Sequence, residues 1–523
     1  MFRQGQLRLF IVAAFLALLA ACATLPEDYP RQETWKLDTS QSRLAVDFAE
    51  KQRDHPGQSG AYPLSQGIEA LAARVALIRA AEKTLDVQYY IWHGDESGKL
   101  LLKELLDAAD RGVRVRLLLD DLGAGAKNDN GYILLNSHPN LSVSLFNPIA
   151  SRDARTMGLF SDPQRLNHRM HNKSITADNT LTVVGGRNVG NEYFSLNELV
   201  NFADMDVLAV GRVADEVTDV FDIFWNSEVS IPISAFHAKA PSAEDVERAR
   251  KHLETDVLAS SGPYYEAMES SPFGMQLKSG SLEFYWGKIN VLYDVPDKLN
   301  GEGSAALLLM QLGNLLGRVR SDMLIVSPYF VPGEEGTKAL IRAERRGVRV
   351  RVLTNSLAST DVGAVHAGYK KYRRELLQAG VEIFELMPCI NADSDTFGHF
   401  SQSGSSAASL HAKMFIFDHK RVFVGSMNLD PRSIRINTEI GLLIESPSLA
   451  AELEDYIESG RSSAYYSVVL EPEDPEKPAG KQRLVWVERR DGEEIRHTKE
   501  PETSFWQRLG VGAIGALPIE SQL

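Results

Sequence analysis

His171-Asn-Lys173-Ser-Ile-Thr-Ala-Asp178, followed by Gly185-Gly186-Arg187-Asn188, decides how this chain is read, because it occurs twice. The second copy runs His411-Ala-Lys413-Met-Phe-Ile-Phe-Asp418 and then Gly425-Ser426-Met427-Asn428. Both have the form H-x-K-x4-D-x6-G-[GS]-x-N, a match that accident supplies at roughly one start in a few million. Two matched pairs suggest a site assembled where two similar halves meet.

Around each pair the residues alternate and are β-rich, then meet a polar turn and a second apolar run, Leu181-Thr-Val-Val or Val422-Phe-Val, so each copy reads as a hairpin. In a strand, residues i and i+2 share a face, which points each His and its Lys the same way. Asp178 and Asp418 begin the turns and are the motif members expected to be structural. The Gly pair and Asn188 or Asn428 close the second strand, where a missing Cβ lets backbone N–H groups approach an anion. Each half thus offers an imidazole, an ammonium and an amide.

Cleaving a phosphodiester needs two proton roles. A neutral imidazole attacks phosphorus while a protonated one donates to the leaving oxygen, and a His near pH 7 serves either role. Two lysines and two asparagines offset the charge on the phosphoryl oxygens. This scheme needs no metal or other cofactor, and the sequence holds no competing carboxylate cluster with metal-ligand spacing. Each His also needs a carboxylate behind its second ring nitrogen. Glu439, in a predicted strand after the second pair, and Asp204, in a similar place after the first, are the candidates; the alternative is that both are ordinary strand-edge acids.

The duplicated pattern resembles the HKD motif of the phospholipase D superfamily. Arg169-Met-His-Asn-Lys-Ser, Val184-Gly-Gly-Arg-Asn-Val-Gly-Asn-Glu-Tyr-Phe, Asn355-Ser-Leu-Ala-Ser-Thr-Asp-Val and Leu517-Pro-Ile-Glu-Ser are similar to the bacterial cardiolipin synthase branch, particularly its C-type members. The resemblance implies two similar α/β lobes with the active site at their interface, and a catalytic set of His171, Lys173, Asp178, His411, Lys413 and Asp418. It also implies substrate contacts from Asn188 and Asn428, and a metal-independent exchange of phosphatidyl groups through a phosphohistidine, with the first copy as nucleophile. The family pattern usually has Gly-Ser before the Asn; Gly186 departs from it and makes the half-sites chemically unequal.

A second repeat supports duplication. Arg111-Gly-Val-Arg-Val-Arg-Leu-Leu-Leu-Asp matches Arg346-Gly-Val-Arg-Val-Arg-Val-Leu-Thr-Asn, and each follows an apolar strand and a helical stretch. Strand, helix, buried strand is a βαβ signature, which predicts a largely parallel central sheet flanked by helices in each lobe. The basic repeat itself reads as a helix C-terminus with a Gly cap, without a catalytic role. The expected organisation is a signal over 1–21, an arm over 22–60, a first lobe over 61–240, a helical connector over 241–280, and a second lobe with a C-terminal extension over 281–523. The connector reads as a solvated helix. Loops 151–167 and 391–409 run into the hairpins and read as a lip admitting substrate or as surface disorder. His168 reads either as facing the same cleft or, preferably, as a loop cap. The segment with His366, Lys370, Lys371, Arg373 and Arg374 reads either as bordering the site or as a solvated basic face. Phe505-Trp506 and Val511 to Leu517 either insert at an interface or pack on the second lobe.

Arg3, Arg8, an apolar run from Leu9 to Ala21 and Leu19-Ala20-Ala21-Cys22 describe a secretory signal that resembles a lipoprotein signal acylated on Cys22. With only Cys22 and Cys389 present, acylation leaves no intramolecular disulfide. The expected setting is a bacterial envelope, periplasm-facing, lipid-anchored beside phospholipid, with phosphatidylglycerol and phosphatidylethanolamine as candidate substrates and a helper protein left open. A net charge of −14 counts against nucleic acid as a partner. Three readings compete with a synthase: a hydrolytic phospholipase D, a nucleic-acid phosphodiesterase and a non-catalytic lipid-binding lipoprotein.

Overall fold

The computed structural model describes residues 24–30, 33–125, 129–152, 155, 162–197, 200–237, 239–300, 307–388, 407–460, 464–474, 476, 480–490, 492–517 and 520–522. Cys22, Cys389, the signal segment and most of loop 391–409 lie outside them.

The first motif forms strands β5 (Ser174–Ala177) and β6 (Leu181–Gly185), and its continuation forms β7 (Val200–Ala203) and β8 (Asp206–Val210). Asp178 and Asn179, at φ 48° and 49°, make the tight turn, a left-handed conformation that short polar side chains tolerate. Asp418 and His419 turn the second hairpin at φ 54° and 56°. Ahead of the first hairpin come β1 (Ser59–Leu64), β2 (Thr84–Tyr89), β3 (Arg114–Asp120) and β4 (Leu141–Phe146), and β9 (Ser230–Pro232) follows. The second half repeats the plan with β10 (Tyr285–Tyr293), β11 (Asp322–Val326), β12 (Arg349–Asn355), β13 (Glu382–Leu386), β14 (Ala407–Leu410), β15 (Met414–Phe417), β16 (Arg421–Gly425), β17 (Ile440–Glu445) and β18 (Tyr465–Pro472), then adds β19 (Gln482–Arg490) and β20 (Glu493–His497).

The strand pairings are related by an approximate dyad. In one lobe the order is β9-β4-β3-β2-β5-β6-β8-β1, and in the other β18-β13-β12-β11-β15-β16-β17-β10. β1 and β10 pair antiparallel, Gly60 opposite Trp286, and join the lobes into one sheet. The parallel character expected from the βαβ repeats holds for β2-β3-β4 and β11-β12-β13. The motif hairpins are antiparallel because tight turns join their strands, and β8 and β17 add antiparallel beyond them. The fold is therefore mixed α/β with helices packed on a large sheet. Helix Gly67–Ala80 is buried along most of its length, and helix Glu96–Asp110 starts where the Asp95 carboxylate accepts from Gly98 N at 3.0 Å.

Apolar residues of both lobes merge in one core: Val184, Val207 and Phe221 pack with Ile289, Val424 and Ile444. The connector is three helices, Ala243–Ser260, Gly262–Ser270 and Pro272–Ser279, rather than one solvated helix. They dock on the first lobe through Lys99–Asp256 at 2.7 Å and the Tyr265 hydroxyl donating to Glu104 at 2.8 Å. The arm is also docked, with Arg116 donating to Thr34 O at 2.7 Å and Thr39 to Asp178 O at 2.6 Å.

Candidate active site

The end of β3 and the end of β12 set the catalytic segments. Asp120 accepts from Met170 N at 2.9 Å and from the buried Arg169 guanidinium at 3.0 Å. Asn355, its counterpart, accepts from Leu410 N at 2.9 Å and donates to Leu410 O at 2.9 Å. These are the last residues of the two Arg-Gly-Val-Arg repeats, so the repeat ends on a clamp for the residue preceding each histidine.

From there each histidine is tied to the opposite lobe. His171 N donates to Thr438 O at 2.9 Å, beside a bridge between Met170 and Thr438. His411 N donates to Ala203 O at 2.8 Å, at the end of the parallel pairing of β7 with β14. The carboxylates follow the same crossing. His171 Nδ1 lies 2.9 and 3.1 Å from the Glu439 oxygens, and His411 Nδ1 lies 2.6 Å from Asp204 Oδ2. Glu439 sits one residue ahead of β17 and Asp204 in the gap between β7 and β8. With Nδ1–H held by a carboxylate, Nε2 is the reactive nitrogen of each ring.

Both rings are nearly enclosed, at 8% exposure for His171 and 6% for His411. Burial pushes the His171 imidazole down to about 4, against the opposing pull of Glu439 and with help from Lys173. His411 is lowered too, by burial and then by Lys413. Burial brings Lys173 down to about 7 and Lys413 to about 8. Each lysine donates to the carbonyl of its own histidine, Lys173 at 2.6 Å. Burial works to raise Glu439 and Asp204, but the cations around them outweigh it and hold both carboxyls below the usual range. The ring centre of Tyr90 lies 5.2 Å from that of His171, and those of Tyr193 and Phe202 lie 5.3 and 5.1 Å from that of His411. The sequence reading missed these aromatics, which carry no spacing signal.

The departure at Gly186 has a steric reason. A Cβ there would stand 2.2 Å from Asp204 Oδ1. Ser426, in the equivalent place, donates to Glu439 Oε2 at 2.5 Å and accepts from Ile440 N at 3.0 Å. The asparagines differ as well. Asn188 is occupied internally, accepting from Ile91 N at 3.2 Å and donating to the Tyr193 hydroxyl at 3.0 Å. Asn428 keeps a buried side-chain oxygen without a partner among the described residues.

Asp178 and Asp418, counted above with the catalytic set, lie at the hairpin turns and hold backbone. Asp178 accepts from the N–H groups of Glu82, Lys83 and Thr84 at 2.8–3.0 Å, and Asp418 from Arg320 and Ser321 at 2.9 and 2.8 Å. Each pins its hairpin to the start of β2 or β11. His168 reaches Ile436 O at 2.9 Å across the lobe boundary. His366 is buried against Glu500 at 3.2 Å, and Arg373 and Lys370 join the same carboxylate at 3.0 and 3.3 Å. These bases therefore hold the C-terminal segment instead of forming a solvated face.

Among the described residues, two carboxylate–histidine groups of metal-ligating type assemble from distant segments, which sequence spacing did not reveal: His93, Asp95 and Glu192, and Asp322, His419 and Glu454. Their members are engaged elsewhere, Asp95 in capping helix Glu96–Asp110 and Asp322 in an ion pair with Arg351 at 2.7 Å. Neither includes a motif histidine.

Paired imidazoles with crossed carboxylates, on hairpins of a duplicated mixed sheet, define a phospholipase D-like site for phosphoryl transfer. A family model described as "Cardiolipin synthase, PLD-like domain" matches residues 75–225 and 312–460, one copy of the motif in each. Cardiolipin synthase C of Escherichia coli is 44% identical over 469 residues, covering 89% of this chain and 96% of that protein. Cardiolipin synthase A of Pseudomonas syringae is 27% identical, covering 75% and 67%. The phosphatidylserine synthase of Haemophilus influenzae has the same fold, with a TM-score of 0.54 at 16% identity over 80% of this chain and 91% of that one. The chain belongs to the cardiolipin synthase family of phospholipase D-like proteins. That family acts on bacterial membrane phospholipids; among the described residues no helix is long and apolar enough to cross a membrane.

Proposed function

We propose that the protein is a phosphatidyltransferase that makes cardiolipin from phosphatidylglycerol and a phosphatidyl donor. The crossed His–carboxylate pairs carry this reading. His171, neutral at physiological pH in its buried pocket, attacks the donor phosphorus through Nε2 while protonated His411 gives its proton to the departing alcohol. The negative phosphodiester beside His411 favours that protonated form on binding. The product is a phosphohistidine and a neutral His411. His411 then takes the proton of a phosphatidylglycerol hydroxyl as that oxygen attacks phosphorus, and the His171 nitrogen leaves. Lys173, Lys413 and Asn428 face the charge that builds on the phosphoryl oxygens, while Asn188 fixes Tyr193 against His411. Asp178 and Asp418 act by positioning the hairpins.

Lipid on Cys22, removal of residues 1–21 and a periplasm-facing position beside the membrane complete the reading, with phosphatidylethanolamine as a candidate donor and a helper protein as an open component. The test is product analysis with the full chain and labelled phosphatidylglycerol in vesicles, with and without phosphatidylethanolamine. Labelled cardiolipin is the expected product. Phosphatidic acid without cardiolipin replaces the synthase by a hydrolase, and absence of any product rejects catalysis on these lipids.

A further inference from the structure

Between Glu502 and Glu520 the only charged residue is Arg508, in a chain whose residues are 24% charged and whose net charge is −14. Most of this stretch is the helix Phe505–Gly515, opened by Ser504 with a reciprocal cap from Gln507. Its inward face is narrow: Val511 is buried and packs with Ile514 against Leu357 and Ala367. Its outward face is apolar. Phe505 is 62%, Trp506 74% and Leu509 52% exposed, and Leu517 continues the row just past the helix end. Trp506, Leu509, Ala513 and Leu517 fall at helical spacing on one side, with no acid among them. Exposed tryptophan and phenylalanine grouped in this way mark an interaction surface rather than ordinary solvent exposure.

The helix is also held firmly and held near the catalytic pair. Glu500, shortly before it, is clamped by His366, Lys370 and Arg373. After it, Glu520 pairs with Lys371 at 3.0 Å, and Gln522 accepts from Asn167 of the first lobe at 2.8 Å. Val511 abuts Gly363, the first residue of helix Gly363–Gln378. Two residues before that helix, Asp361 accepts from the Tyr329 hydroxyl at 2.7 Å and is close enough for its charge to act on His411 and Lys413.

We infer that helix Phe505–Gly515 is a membrane-docking element that lays Phe505, Trp506, Leu509 and Leu517 into the surface of an anionic bilayer beside the mouth of the cleft. A stretch free of acid, with one arginine, is a part of an acidic protein that an anionic surface does not repel. A rigidly seated helix with Trp and Phe outward has the form of an interfacial anchor. Docking there sets the cleft against the lipid that supplies its substrate, so the inference rests on the phosphatidyltransferase reading.

The full chain is tested with vesicles of phosphatidylethanolamine and phosphatidylglycerol, part of the lipid carrying brominated acyl chains. Tryptophan fluorescence is quenched in the wild type, and Trp506→Phe removes a distinct share of that quenching. The combined variant Phe505→Ser/Trp506→Ser/Leu509→Ser loses about 10-fold or more of its turnover on vesicles. Its turnover on dissolved short-chain phosphatidylglycerol stays within about twofold of wild type, since the changes are on the surface. Unchanged quenching in Trp506→Phe, or unchanged vesicle turnover in the combined variant, overturns the inference. So does a combined variant that only shifts a dimer to a monomer, which assigns the face to a second copy. If the wild type turns over neither substrate, the functional reading fails, and quenching by itself still decides the docking.

Discussion

The half-site around His171 and the one around His411 share a spacing but are braced by different chemistry. Glu439, the longer acid, reaches His171 with room left for the Ser426 hydroxyl to bond it. Asp204, one methylene shorter, sits so close to the end of β6 that only the missing side chain of Gly186 leaves space for it; the Oδ1 oxygen on that side accepts from Met205 N at 2.7 Å. Ser426 with Glu439 and Gly186 with Asp204 are therefore two matched solutions to one problem, holding a carboxylate behind the imidazole of the opposite lobe. The asparagines add to the inequality: Asn188 is consumed in structure while Asn428 keeps an acceptor free. Two sites that must play different proton roles in each half-reaction need not be copies.

The sharpest way to break this comparison is to remove each imidazole. His171→Asn and His411→Asn should each lower turnover by about 10⁴-fold or more. Wild-type enzyme denatured in detergent at neutral pH with labelled donor should retain covalent label and His171→Asn none, since the N–P bond of a phosphohistidine survives there and not in acid. Label retained in His171→Asn would exchange the two roles. Next in size is the matched bracing. Gly186→Ser drives a side chain into Asp204 and should cost about 10²-fold in kcat, while Ser426→Ala loses a hydrogen bond and should cost about 3- to 10-fold. Equal losses in steady-state assays would erase the distinction between the two solutions. A separate effect falls on stability. The folded state keeps His171 neutral down to about pH 4, whereas the unfolded chain protonates it near 6.5. Stability therefore falls as pH drops from 6.5 towards 4, by about 3 kcal/mol from this group, and no further below. Thermal unfolding of His171→Asn should show a shallower acid slope than wild type; parallel slopes would refute the burial argument.

The hairpins, the duplication and the His–Lys pairs were legible because they depend on local alternation and on a spacing that repeats; Glu439 and Asp204 stood out only as acids after each pair, with ordinary strand-edge acids as the alternative. The crossing was not. His171 and Glu439 are 268 positions apart in sequence, and nothing local states which imidazole an acid will meet. Asp120 and Asn355 were visible as the last residues of a repeat, but a clamp on Met170 or Leu410 emerges only once β3 and β12 lie beside the catalytic segments. The bases of helix Gly363–Gln378 were half legible for a related reason: Lys371 and Arg374 are exposed, but His366 and Arg373 are buried against a distant acid, Glu500. Likewise βαβ signals reported the strands joined by helices and were silent on how many antiparallel neighbours would extend the sheet.

The pairing of β1 with β10 has a consequence for anyone wishing to study half of this molecule. A liberated single lobe would carry a bare backbone ribbon where its twin had been hydrogen-bonded, together with the stripped apolar flank of Val184 and Phe221 or of Val424 and Ile444. Those are the ingredients of clumping. The twins are thus bound to be made and folded together, and a severed one would be lost to precipitation before its missing chemistry could be noticed.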